Sequence, residues 1–178
     1  MSSICWVRVD DRLIHGQVTV AWRQYLRYGH IWIVDDQTAG DAFLKEVLRV
    51  ATPGDVGIQV YTVEEAVAAW TAQTAGGSSE GSRADPGKVL LLIKSPKTAL
   101  ALFEAGLSQP IRACGLNIGN LASRPGSKRA FQSISLIPED VSALDALAGG
   151  GVRITFQAVP HGAQADWASI RAGLVRDR

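Results

Sequence analysis

Between positions 10 and 15 the chain packs two acids, an arginine and a histidine, within Val9-Asp10-Asp11-Arg12-Leu13-Ile14-His15-Gly16-Gln17-Val18. A neutral imidazole is nucleophilic near pH 7, where its protonation is easily switched by its surroundings. Behind His15, Gly16 lets the backbone come close to a bound anion. The free N–H groups of Gly16, Gln17 and the helix turn they open favour negative charge. Arg12 offers a planar fork matched to phosphate oxygens. Asp10 can accept the other ring N–H and fix the tautomer. Together these groups suit the transfer of an anionic group through histidine. Plainer uses stand beside that one. A lone histidine is often only solvated, and Asp10-Asp11 also suits a helix cap and a turn. An exposed Arg12–Asp10 ion pair would contribute on the order of 0–1 kcal/mol.

Such a cluster needs a strand before it and a helix after it. Short β-branched or aromatic runs at 5–9, 30–34, 56–61, 89–93, 111–117, 130–135 and 152–157 read as strands. Stretches of helical period lie between them at about 16–28, 42–50, 63–73, 97–105 and 138–147. Pro138-Glu139-Asp140 is a helix start, and Gly149-Gly150-Gly151 stops that helix. Val89-Leu90-Leu91-Leu92-Ile93 is apolar on both faces, so it must be covered above and below. The pattern predicts a doubly wound α/β domain with a mostly parallel sheet of about seven strands, helices on both faces and one antiparallel edge strand. The strand at 130–135 follows a long loop and is expected to be that edge. In open parallel sheets ligands bind beyond the carboxyl ends of the strands, where the His15 turn falls. That turn has no Gly-x-Gly-x-x-Gly and no Gly-Lys-Ser/Thr, which argues against dinucleotide and nucleotide-phosphate loops.

The chain has 178 residues, enough for one domain, 1–178, with a core at about 4–160. Residues 75–87, rich in Gly and Ser, read as a flexible surface loop. In the tail at 161–178, Trp167, Ile170 and Leu174 form a stripe that suits a final short helix. The hydrophobic share of 47% and the charged share of 20% are globular values. No apolar run approaches the roughly 20 residues that span a bilayer. Met1-Ser2-Ser3-Ile4-Cys5 lacks the regions of a signal peptide, so a cytosolic location is expected. A net charge of +1 gives no general field for nucleic acid. Cys5 and Cys114 sit in apolar runs and read as reduced core residues in strands near the sheet centre. No clear metal ligand set stands out, and neither His30 nor His161 is an obvious partner for His15.

Val-Asp-Asp-Arg-Leu-Ile-His-Gly-Gln-Val at 9–18 resembles the signature of IIB domains of the mannose/fructose/sorbose class of the sugar phosphotransferase system. Three more stretches are similar to that family in the right order. They are Ile33-Val34-Asp35-Asp36-Gln37-Thr38-Ala39, Gly115-Leu116-Asn117-Ile118-Gly119, and the basic Ser127-Lys128-Arg129. Asn120 and Leu121 stand where the family usually has a glycine and a methionine.

The resemblance implies a phosphocarrier that takes a phosphoryl group from a IIA phosphohistidine onto His15 and passes it to a sugar held by IIC and IID membrane subunits. It implies Arg12 and Asp10 as catalytic partners, and Gly16, Gln17, Asn117 and Gly119 as phosphate-binding groups. It requires no cofactor and no metal. Asp36 would brace the His15 loop, or else Asp35 or Asp36 caps the helix near Thr38. The implied location is the cytoplasm, at the inner face of the membrane through IIC/IID, and a homodimer is a further implied assembly. Two other classes stay open. An aspartyl-phosphate receiver also has acids after its first strand, although the third strand here ends Tyr61-Thr62-Val63 without an aspartate. A regulatory phosphoprotein or binding module could keep the same fold without transport.

Overall fold

The computed structural model describes residues 3–75 and 87–176. The loop read at 75–87 lies almost wholly outside the described residues. The strands are β1 (Ser3–Asp10), β2 (His30–Val34), β3 (Gly57–Tyr61), β4 (Lys88–Ile93), β5 (Leu116–Asn120), β6 (Lys128–Phe131), β7 (Ile134–Leu136), β8 (Ile154–Phe156) and β9 (Ala165–Asp166). Seven of them form one sheet in the order β3-β2-β4-β1-β5-β8-β9. All neighbours in it are parallel except β8 and β9. The helices are α1 (a π-helical Gln17–Trp22 continuing as Arg23–Leu26), α2 (Asp36–Ala39), α3 (Ala42–Ala51), α4 (Val63–Ala75), α5 (Pro96–Leu102, continuing as a π-helical Phe103–Leu107), α6 (Ser108–Cys114), α7 (Pro138–Gly149) and α8 (Trp167–Arg176). None of the described helices is long and apolar enough to cross a membrane.

One face of the sheet is apolar across its whole width. Val7 and Val9 of β1, Trp32 and Val34, Leu91 and Ile93, Leu116 and Ile118, and Ile154 and Phe156 all bury there, under side chains from α4 to α8. The other face changes character halfway. Across β2 and β4 it is apolar, with Ile31, Ile33, Leu90 and Leu92 under Val18 and Tyr28. From β1 onwards it carries the buried polar residues Arg8, Asp10, Asn117 and Gln157. Alternation along a strand explains this, because every second residue of β1, β5 and β8 faces the same way. A bulge sets the phase. Ile4 pairs with Val89 and Trp6 with Leu90, so Cys5 is an extra residue. The bulge lets Ile4 join Val7 and Val9 in the core while Trp6, Arg8 and Asp10 share the second face.

Three expectations are corrected. Residues 111–114 end α6, and the strand starts at Leu116, because Gly115 at φ 77° breaks the chain between them. A short apolar run such as Ile111-Arg112-Ala113-Cys114 cannot by itself separate a buried helix from a strand. The segment at 130–135 is no edge of the main sheet. It turns at Gln132 (φ 41°) and splits into the hairpin β6–β7. The antiparallel edge is β9, in the tail, followed by α8, whose Trp167 stacks on Phe156 at 5.9 Å. Cys5 and Cys114 are free but only half-buried, and Cys114 closes a helix. Burial pushes the Cys5 thiol up to about 11 and raises Cys114 as well, so both stay protonated at neutral pH.

Candidate functional site

Asp10 is the hub of the site. It ends β1 with its carboxylate fully buried, and three cationic or ionisable side chains converge on it. Arg8 Nη2 donates to Oδ2 at 2.8 Å, and Arg12 Nε donates to Oδ1 at 3.2 Å. His15 Nε2 lies 2.9 Å from Oδ2. Burial alone would raise the Asp10 pKa. The hydrogen bonds from His15 and Arg12 and the charge of Arg8 outweigh it and hold the carboxyl at about 2. An ionised Asp10 can only accept, so Nε2 of His15 carries the ring proton. Nδ1 then keeps its lone pair, facing the N–H of Gln17 at 3.3 Å.

A strained turn aims the ring. The Leu13 N–H closes on Asp10 C=O at 3.0 Å, and Leu13 adopts a left-handed φ of 55°. A leucine rarely accepts that conformation, but its side chain is 5% exposed and packs with Val18 and Tyr28. Burial of Leu13 thus holds the loop in a shape that short-range propensity disfavours. His15 C=O accepts from the N–H groups of Val18 and Thr19, both at 2.9 Å, and opens α1. Gln17 Oε1 accepts from Arg12 Nη2 at 3.0 Å. Asp11 fastens the loop to the end of β5, accepting from Asn120 Nδ2 at 2.6 Å and from Ala122 N–H at 2.7 Å. Asn120, one of the two departures from the family pattern, therefore has work in this chain.

The site residue that sequence reasoning missed is Arg8. It is fully buried beneath Asp10, with Nη1 donating to Asn117 Oδ1 at 2.5 Å and to Gln157 C=O at 3.1 Å. Nη2 also donates to Ala158 C=O at 3.1 Å, and the guanidinium lies 5.2 Å from the Trp22 ring. Charged side chains are almost never fully buried unless paired; both terminal nitrogens of Arg8 are paired, while its buried Nε has no partner among the described residues. The one signal for it was its place two residues before Asp10, on the same face of a strand.

Two expected phosphate contacts sit elsewhere. Asn117 is buried with its side chain joined to Arg8 and to Gln157 C=O, so it lies under the site. Gly119 is needed by close packing, since a Cβ there would fall 1.9 Å from Arg8 Cζ. Asp36 does not brace the His15 loop. It accepts from Val63 N–H at 2.9 Å and starts α4. Asp35 caps α2 through Thr38 N–H at 2.9 Å and pairs with Lys94 at 3.2 Å. In the basic loop Arg124 is engaged by Asp140, while Lys128 and Arg129 are exposed. No group of His, Cys, Asp or Glu that could hold a metal occurs among the described residues.

Gly16 differs from Gly119. Its φ of −55° suits any residue, and a Cβ would meet nothing within 4 Å. Neither the backbone nor a neighbour among the described residues requires a glycine there. The space beside Gly16 is open among the described residues.

Residues 4–176 match the family described as the PTS system sorbose subfamily IIB component, so the match runs into the tail. The sorbose-specific EIIB component of Klebsiella pneumoniae is 31% identical over 156 residues, covering 88% of this chain and 87% of that one. The mannose-specific EIIAB component of Escherichia coli (strain K12) is 27% identical over 152 residues, 85% of this chain but 43% of its own length. The crystal structure of the IIBSor domain of the sorbose permease from Klebsiella pneumoniae superposes with a TM-score of 0.82 at 29% identity, covering 96% of this chain and 97% of that one. The chain belongs to the sorbose subfamily of phosphotransferase-system IIB components, phosphotransferases that carry phosphoryl groups in sugar uptake.

Proposed function

We propose that His15 Nδ1 is the atom that accepts the phosphoryl group from a IIA phosphohistidine and yields it to a sugar held by IIC and IID. The observation that carries this reading is the placement of the ring between the Asp10 carboxylate at Nε2 and the Gln17 N–H at Nδ1. The Nδ1 lone pair attacks phosphorus, an Nδ1–P bond forms, and the P–N bond to the donor imidazole breaks. In the second step a sugar hydroxyl oxygen attacks, the Nδ1–P bond breaks, and the hydroxyl proton is lost. Because Nε2 already holds its proton against Asp10, His15 departs as neutral imidazole. Both imidazole bonds are phosphoramidates, so the first transfer is nearly balanced and the protein's task is alignment and charge stabilisation.

The Gly16 and Gln17 amides and the Arg12 fork suit the equatorial oxygens. Asn117 and Gly119 serve by holding Arg8, and through it Asp10. The Escherichia coli relative whose name joins IIA and IIB supports a IIA protein as donor. On this reading the protein works at the inner face of the membrane, docked on IIC and IID. Sedimentation of the purified chain tests the homodimer.

The test is labelling from phosphoenolpyruvate through the general carrier proteins and a cognate IIA. One phosphoryl group per chain is expected, stable in alkali, labile in acid and located on the His15 peptide. An alkali-labile label would mean an acyl phosphate and would end the proposal.

Two variants refine it. Gly16→Ala should fold as well as the parent or gain about 0.4–1 kcal/mol, since a helical φ suits alanine. Its phosphoryl transfer should nonetheless fall by about tenfold, because the methyl group occupies the space beside the receiving amides. Parent-like single-turnover rates would show that nothing approaches there. Arg12→Lys keeps the charge and loses the fork, so transfer should slow by about tenfold or more. If both transfer steps keep wild-type rates, Arg12 only supports Asp10 and Gln17.

A further inference from the structure

Large apolar side chains scattered singly over a surface need no explanation, but a row of them on one helix does. Six are exposed among the described residues, and three of these share α3: Phe43 at 75%, Val47 at 45% and Val50 at 72%. Their spacing of i, i+4 and i+7 makes a straight seam along the helix. No residue of α3 is fully buried. The helix leans on the second sheet face through Leu48, which packs against the cluster of Ile31, Ile33, Leu90 and Leu92. Leu44, one turn before Leu48, is half-buried. At about 100° per residue, the seam points roughly 110° away from Leu44 and Leu48. The helix therefore has two apolar directions, one facing its own core and one facing water.

The charges beside the seam point to what covers it. Glu46 and Arg49 form an exposed ion pair there, with Arg49 Nε donating to Oε2 at 2.9 Å and Nη2 to Oε1 at 2.6 Å. A flank that carries both signs selects neither an acidic nor a basic partner, and it matches a flank of its own composition. Against an antiparallel copy of α3, the two-fold axis passes between residues 46 and 47. Phe43 of each copy then meets Val50 of the other, and the two Val47 side chains lie together beside the axis. Glu46 of each copy falls between its own Arg49 and that of the other, so each acid has a guanidinium on either side. The seam is its own complement, and a two-fold pair closes without leaving a free end. A net charge of +1 per chain gives such a pair little long-range repulsion.

We propose that α3 forms an isologous contact between two copies of this chain, an antiparallel helix pair centred on Phe43, Val47 and Val50. Three apolar side chains per copy fall well short of the roughly 20–30 residues per partner of a standard interface. The pair is therefore weak, with a dissociation constant on the order of 0.1 mM. It gives the homodimer named above a surface. No residue of the His15 site belongs to the seam, and self-association is measured without phosphoryl transfer, so this contact stands or falls apart from the phosphocarrier reading.

Sedimentation equilibrium of the full chain, from about 10 μM to about 1 mM, tests it. A monomer–dimer equilibrium is expected. Phe43→Lys, at an exposed helical position, should weaken it by about tenfold or more and leave labelling of His15 unchanged. Val47→Cys should cross-link to itself under mild oxidation faster than Val175→Cys, an exposed apolar position on α8, with the parent chain giving the background from Cys5 and Cys114. A chain that stays monomeric throughout overturns the contact, as does a Val47→Cys variant no faster than Val175→Cys. A dimer that Phe43→Lys leaves intact keeps the homodimer but overturns this surface for it. Loss of His15 labelling in Phe43→Lys would give the seam to the phosphoryl donor and overturn the second copy as its occupant.

Discussion

A His15→Ala variant is expected to accept no phosphoryl group from a phosphorylated IIA protein, with label falling below about a thousandth of wild type. The expectation is extreme because a covalent relay has no substitute once its nucleophile is gone. The fold should survive. His15 is 18% exposed, and Asp10 keeps both Arg8 and Arg12 as partners when the ring is removed. Unfolding in urea should therefore shift by no more than about 1 kcal/mol. The measurement is radiolabel retained after single-turnover transfer, beside a denaturation curve. Full labelling of a folded His15→Ala chain would move the chemistry to another residue.

Asp10→Asn should disturb both chemistry and stability. An amide facing Nε2 no longer demands a proton there. The ring can then place its proton on Nδ1, where the lone pair is needed. By comparison with orienting carboxylates elsewhere, transfer should slow by about a thousandfold or more. The same change strips Arg8 of its anion inside the protein, and breaking a buried pair on one side costs about 3–5 kcal/mol. The two effects can be separated. Adding Arg8→Met to Asp10→Asn removes the stranded charge, so part of the stability should return while transfer stays slow. Transfer by Asp10→Asn within tenfold of wild type would deny Asp10 its role in setting the tautomer. Acid provides a further check on the same carboxylate. Its folded pKa is depressed to about 2, so the stability it contributes is complete above the ordinary carboxylate value near 4. That contribution is lost as pH falls from about 4 through 2. The Asp10→Asn variant should be flatter across that window.

The contrast between His15 and Arg8 explains what could be read from the residues alone. His15, Arg12 and Asp10 fall within six positions, and a turn brings such near neighbours together whatever the rest of the chain does. Val7-Arg8-Val9-Asp10 alternates like any strand with one face in water, and nothing local says that the polar face will be covered. Burial of Arg8 comes from Trp22, Gln157 and Ala158, contributed by residues up to 150 positions away. Asn117 was placed at the right sheet edge but given the wrong neighbour for the same reason. The parallel core was legible because Val89 to Ile93 are apolar without interruption. The two-residue β9 was not, since a strand that short leaves no period to detect. The left-handed Leu13 was also hidden. Propensity argues against it, and only tertiary packing holds it.

The bulge at Cys5 makes β1 two interleaved messages, one written for the core and one for catalysis. Across positions 6–10 the tolerated alphabet should alternate residue by residue, with side-chain size the criterion at Val7 and Val9. At Arg8 and Asp10 the criterion becomes charge and hydrogen-bond geometry. Cys5 is the frame-shift between the two readings. Deleting it would remove the bulge and leave a regular strand, with Ile4 still in the core and Trp6, Arg8 and Asp10 still on the second face. Loss of this cysteine should thus leave the carrier working, whereas one residue inserted between Arg8 and Asp10 would send the two to opposite faces and silence it.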